Sequence, residues 1–129
     1  MEQPKYLIDT NVVIYYLGNN LTPKGMNFMN NIIDVIPNIS VITQIEVLGF
    51  QTTNEHYKTL TNFIDDSNVL NLSNDVVKAS IEIRKNYKTK LPDAIISATA
   101  IVYDLTLITR NTKDFSNING LKVIDPFSL

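Results

Sequence analysis

The chain has 129 residues, 44% of them hydrophobic and 19% charged, which suits one domain with room for a buried core. It contains no cysteine, which excludes disulfides, thiolate zinc sites and cysteine nucleophiles. Its formal net charge of −2 excludes a uniformly basic surface, so a nucleic-acid partner would need a local basic patch or a bound cation.

Taken in order, MEQPKYLIDT lacks the basic start and apolar core of a signal peptide. No apolar run reaches the ~20 residues that span a bilayer, and the expected location is the cytoplasm. Tyr6, Leu7 and Ile8 do not alternate with polar residues, as in a strand buried on both faces. Asp9 closes that strand. Thr10–Leu17 reads as a short helix, capped by Asp9 or Thr10 and stopped by Gly18. After a loop with Asn19, Asn20 and Pro23, Gly25–Val35 places Met26, Phe28, Met29, Ile32 and Ile33 at helical spacing, and Pro37 ends it. Asn38–Ile42 is a second strand. Thr43 followed by Glu46 matches a capping box for a helix through Leu48, which Gly49 stops.

Asn54–Asp65 reads as an amphipathic helix with Tyr57, Leu60, Phe63 and Ile64 inward. Asn68–Leu72 is a third strand. Ser73 caps a helix over Asp75–Lys88, with Val76, Val77, Ala79, Ser80 and Ile83 on its buried face. Pro92 opens the next helix at a position where its missing N–H costs nothing. That helix, Pro92–Tyr103, has almost no polar face and should be buried. Thr106–Thr109 is a fourth strand and Leu121–Ile124 a fifth, ending at Pro126. Alternating strands and helices imply an α/β fold, with a mainly parallel sheet of four to five strands covered by helices on both faces. No repeat, linker or second-domain boundary interrupts residues 1–129.

In such a sheet the segments after each strand open on one rim, where ligands bind. Asp9, Glu46 and Asp114 fall there by topology, and Asp93 joins them if its helix starts near that rim. Each has a simpler reading alone. Asp9 can cap a helix, Glu46 can complete the capping box, Asp93 suits a helix dipole, and Asp114 can be a loop acid. Three of the four nevertheless interrupt strongly apolar segments, where a carboxylate needs compensation. Gathered together they would raise one another's pKa unless a cation neutralised them. No basic residue is embedded in those segments. A bound divalent metal resolves this, and all-oxygen ligands favour Mg²⁺ or Mn²⁺.

YLIDTNVVIYYL, TQIEVLGF, LPDAIISATA and LITRNTKDF stand in the order and local contexts of the PIN-domain nucleases. The combination most resembles the VapC-type toxins of toxin–antitoxin pairs. The resemblance runs from Tyr6 to the final KVIDPF. It implies a single PIN-like domain acting as an Mg²⁺- or Mn²⁺-dependent endoribonuclease. It also implies a homodimer, and a cognate antitoxin whose C-terminal segment covers the acidic site. The family's first three acids map to Asp9, Glu46 and Asp93. Many members carry an Asp where this chain has Asn111; others rely on the acid before the Phe, here Asp114. The resemblance then points to Asp114 as the last acid, with Asn111 binding water or orienting a ligand. Thr10, Asn11 and Thr109 match positions that support the acids by hydrogen bonds.

The implied chemistry is hydrolysis of a phosphodiester by metal-activated water, with Glu46 orienting that water or accepting its proton. The basic run Arg84, Lys85, Lys88 and Lys90 can contact RNA phosphates, with Tyr87 available for base stacking. The alternative is a solvated helix end favoured by the dipole. Arg110 and Lys113 are further phosphate contacts. His56, the one histidine, reads as a surface residue, so histidine-based ribonuclease chemistry is not expected. Two other classes stay open: a PIN-fold binding module of weakened activity, and a related nuclease acting on DNA. Phosphoryl transfer through an aspartyl phosphate fits poorly. Haloacid-dehalogenase-like phosphatases carry a second Asp where this chain has Asn11. Receiver domains need an acceptor Asp closing strand three, where this chain has Leu70, Asn71 and Leu72.

Overall fold

The computed structural model describes residues 6–33 and 36–129. Among them, β1 (Tyr6–Ile8), β2 (Asn38–Ser40), β3 (Asn68–Leu70), β4 (Thr106–Ile108) and β5 (Val123–Ile124) form one sheet. Its order is β3-β2-β1-β4-β5, and every neighbouring pair is parallel. Leu7 pairs with Leu107 in β4 and with Asn38 in β2. The expected parallel sheet is therefore present, with β1 at its centre.

The strands are shorter than their apolar runs suggest, because capping side chains take the backbone over early. Ser40 Oγ accepts the Ile42 N–H at 3.0 Å, so the helix α3 (Val41–Leu48) begins where the second strand was expected to continue. The Thr43–Glu46 capping box does not form: Ser40 is the cap, and Thr43 is buried within the first turn. β4 ends one residue earlier than expected, yet Thr109 still donates its N–H to Ile124 O at 2.9 Å. Thr109 thereby stays fixed to the sheet at its carboxyl edge.

α1 (Thr10–Leu17) follows Asp9 and ends at Gly18, as expected. α2 (Pro23–Ile33) starts two residues before the expected Gly25, since Pro23 occupies a favourable first-turn position. Its expected end at residue 35 lies outside the described residues. α4 (Asn54–Asp65) has the expected bounds. α5 (Asn74–Asn86) and α6 (Leu91–Val102) are each displaced slightly from their expected bounds. A four-residue helix, α7 (Thr112–Phe115), and a 3-10 turn, Pro126–Ser128, were not expected, being too short to show a period. No helix among the described residues is long and apolar enough to cross a membrane.

Side chains alternate across the sheet. Leu7 and Leu107 face α5, α6 and Phe115; Ile8, Ile39 and Ile108 face α1 to α4. Each fully buried aliphatic side chain contributes roughly 1.5–3 kcal/mol. In α6 every residue from Ala94 to Ala100 is buried, which bears out the reading of that helix, and its alanines let α5 approach. Two residues placed inward by the sequence are exposed. Tyr57 keeps its ring at the surface and donates its hydroxyl to Leu48 O at 3.0 Å, bracing α4 on α3. Val77 points to solvent from α5.

Candidate active site

β1 delivers Asp9 to the carboxyl edge of the sheet. Its N–H donates to Ile108 O at 2.9 Å, so the residue continues the β1–β4 ladder and has little freedom. Only 5% of it is exposed. Oδ1 accepts the Thr10 N–H at 2.8 Å, which makes Asp9 the helix cap as well as a rim acid. Oδ2 accepts the Thr109 hydroxyl at 2.7 Å. Burial pushes the carboxyl up to about 6, aided by the charges of Asp93 and Glu46 and opposed by the Thr109 and Thr10 hydrogen bonds. A carboxylate at this position is thus held in shape but remains short of positive charge.

Glu46 reaches the same edge from the second turn of α3. The Thr10 hydroxyl lies 2.7 Å from Glu46 Oε1 and 3.0 Å from Thr43 Oγ1. One hydroxyl has one proton. Thr10 donates it to the carboxylate and accepts from Thr43. On the opposite flank, Thr109 Oγ1 accepts the Asn111 N–H at 3.0 Å. Asn111 Nδ2 donates to Asp114 Oδ2 at 2.6 Å. A continuous chain of contacts therefore runs from Glu46 through Thr10, Asp9, Thr109 and Asn111 to Asp114. Asp93, half-buried in the first turn of α6, faces this chain. Burial raises its pKa first, then the charges of Asp114 and Glu46, with Lys90 opposing. The four acids singled out from the sequence meet at one rim. The Asn11 side chain bonds elsewhere than to the acids: its Oδ1 accepts the Arg110 N–H at 3.4 Å.

Among the described residues, no three acidic or histidine side chains close tightly enough to form a metal cage by themselves. The donor set still fits a hard divalent cation. It is all oxygen, its central carboxylate is buried, and the ion pairs among the described residues, Lys85–Glu82 and Lys122–Asp104, lie elsewhere. Mg²⁺ is commonly held by one or two carboxylates with waters and substrate phosphates completing its shell.

Two members of the exposed basic run have partners within the fold. Arg84 donates to Thr89 O at 2.6 Å and Lys85 sits 3.8 Å from Glu82. Tyr87 packs on the core and its hydroxyl accepts the Asn119 N–H at 3.0 Å, so it is not the free stacking platform expected. Lys88, Lys90 and Lys113 are exposed. His56 is half-buried in the first turn of α4. Arg110 is different: its guanidinium lies 4.2 Å from the Phe127 ring centroid and 5.0 Å from that of Tyr15. Sequence reasoning missed Tyr15 and Phe127, because an aromatic in an apolar run or after a last strand looks like core. It also read Thr43 as a cap when it is part of the Thr10–Glu46 support.

Residues 6–121 match the PIN domain family. Ribonuclease VapC2 of Methanocaldococcus jannaschii is 29% identical over 143 aligned residues, covering 97% of this chain and 96% of that protein. Among solved structures, a chain of a toxin-antitoxin complex from Klebsiella pneumoniae is 35% identical with a TM-score of 0.75, covering 95% of this chain and 98% of that one. A chain of DNA-bound VapBC from Salmonella typhimurium has a TM-score of 0.79 at 23% identity, covering 96% and 99%; that likeness is one of fold.

Proposed function

The chain belongs to the PIN-domain family, and from that premise we propose that it is a divalent-metal-dependent endoribonuclease, the toxin of a toxin–antitoxin pair. One observation carries the reading: three carboxylates, Glu46, Asp9 and Asp114, are linked at a single rim by threonine and asparagine hydrogen bonds, Asp93 faces them, and the central Asp9 is buried without a basic partner. The nuclease relative and the toxin-antitoxin complex are the source of the biological role.

Asp9 and Asp93 would hold the ion, Mg²⁺ or Mn²⁺, with Asp114 completing the set. When bound, the ion supplies Lewis acidity toward a phosphate oxygen and lowers the pKa of an attacking water. Thr109 fixes Asp9 Oδ2, so this carboxylate needs no rearrangement when substrate arrives. Asn111 turns Asp114 toward the rim. Thr10 ties up Oε1 of Glu46, and the residue is exposed, so its second oxygen is left to orient the water and take its proton. Water adds to phosphorus, the bond to the 3′ oxygen breaks, and that oxygen leaves with a proton. The partners in this reading are RNA, a cognate antitoxin covering the rim, and a second copy of the chain.

The test is cleavage of labelled RNA and single-stranded DNA with Mg²⁺, with Mn²⁺ and after EDTA. RNA cleavage is expected only with metal. Equal cleavage after EDTA would overturn the mechanism, and cleavage of DNA alone would reassign the substrate. Expression should arrest growth, and co-expression of the adjacent antitoxin reading frame should relieve the arrest.

A further inference from the structure

We propose that Arg110, clamped by Tyr15 and Phe127, grips a backbone phosphate of the bound RNA beside the acidic rim, and that Phe127 is its positioning residue. The inference rests on the ribonuclease reading above and adds the element that holds substrate.

Four carboxylates repel a polyanion, so cations other than the metal must face it. Arg110 stands one residue beyond Thr109, the residue that fixes Asp9. Three adjacent strands, β1, β4 and β5, send their following segments to this corner: Tyr15 in α1, Arg110 after β4, and Phe127 after β5. The two rings meet edge to face at 5.4 Å, and the guanidinium lies over both. Because the rings are nearly perpendicular, the planar guanidinium can lie flat on one and turns one edge to the other, which leaves its remaining N–H groups for phosphate. No ion pair or side-chain hydrogen bond uses them among the described residues. The backbone is held as well, by the Arg110 N–H on Asn11 Oδ1.

The clamp is itself anchored. Phe127 N–H donates to Asp125 Oδ1 at 2.8 Å. The neighbouring Pro126 carbonyl packs so close to Gly25 that a Cβ there would lie 2.7 Å from it. The final DPF of the sequence thus sets the position of a cation at the rim, a role its place after the last strand does not advertise.

The experiment measures binding of a fluorescent single-stranded RNA across a salt series, in an Asp9→Asn parent that leaves the RNA uncut, alongside kcat and KM of the active chain. Arg110→Met should weaken RNA binding about 10-fold and reduce the magnitude of the salt slope by about 0.7, the value of one phosphate contact on a single strand. KM should rise with kcat little changed. Arg110→Lys should keep the slope yet recover only part of the affinity. Phe127→Leu should weaken binding in the parent and have no further effect once Arg110→Met is present. Lys122→Ala, whose ammonium pairs with Asp104 ahead of β4 and β5 and away from the rim, should leave binding unchanged. Wild-type affinity and slope in a folded Arg110→Met, or effects of Arg110 and Phe127 that simply multiply, would overturn the proposal and leave the ribonuclease reading standing. Absence of RNA binding by the parent together with absence of metal-dependent cleavage by the unsubstituted chain removes both.

Discussion

Two arginines of this chain look alike in sequence, and the fold uses them in opposite ways. Arg84 lies in a dense basic run, and its guanidinium closes on Thr89 O, where it ties the end of α5 to the following loop. Arg110 stands among polar residues. Its guanidinium sits in the corner between Tyr15 and Phe127, and no ion pair or side-chain hydrogen bond among the described residues takes it up. The same contrast separates the two charged regions around them. Along the α5 end, charge is taken up by carbonyls, Glu82 and solvent. At the rim, Thr10, Thr109 and Asn111 hold carboxylates in place without neutralising them. A charge serves a ligand only where the fold supports its position but leaves its charge unanswered.

The sharpest way to break the contrast is at Asp9. Asp9→Asn keeps an acceptor for the Thr10 N–H and offers an N–H to Thr109, so the fold should survive. Metal-dependent RNA cleavage should fall by more than about 100-fold, beyond the usual cost of a supporting residue. A measured rate within 10-fold of wild type would remove Asp9 from the site.

The same substitution should stabilise the metal-free protein. The Asp9 carboxyl is raised from its ordinary 3.8 to about 6. The folded state therefore binds this proton more tightly than the unfolded chain. The stability it confers is complete below pH ~3.8 and is lost as pH rises through about 6. At pH 7 the charged form costs about 3 kcal/mol. Denaturation in EDTA should show Asp9→Asn more stable by up to that amount at pH 7, with the gap closing toward pH 4. A gap independent of pH would mean that Asp9 is not strained by its burial.

Thr109→Val removes the hydroxyl that holds Asp9 and leaves the backbone rung to Ile124 intact. Activity should drop roughly 10–100-fold. That hydroxyl lowers the Asp9 pKa, so its loss should also move the acid limb of the pH–rate profile upward. At the small end, Arg84→Ala should cost about 0.5–1.5 kcal/mol of stability, read as a lower melting temperature, and leave activity unchanged.

Much of the site is legible in the sequence, because strand ends and helix starts carry recognisable chemistry. Asp9 closes an apolar run, and Asp93 follows Pro92 at the head of a helix that must be buried. Glu46 is less readable. Its spacing from Thr43 matches a capping box, yet Ser40 takes the cap and turns Glu46 toward Thr10. Local pattern cannot choose between two hydroxyl caps three residues apart, each able to start the helix at its own position. Tyr87 fails for a similar reason: an aromatic in a basic run resembles a stacking platform until Asn119 arrives from thirty-two residues away.

The sequence by itself determined the alternation of strands and helices, the buried α6 and the four acids at element ends. These depend on periodicity and capping, which are local. The packing of distant segments put Thr109 on Asp9 across one hundred residues and brought Tyr15 and Phe127 onto Arg110. Those contacts follow from the order β1-β4-β5 in the sheet and the direction of each side chain at its edge, which no window along the chain contains.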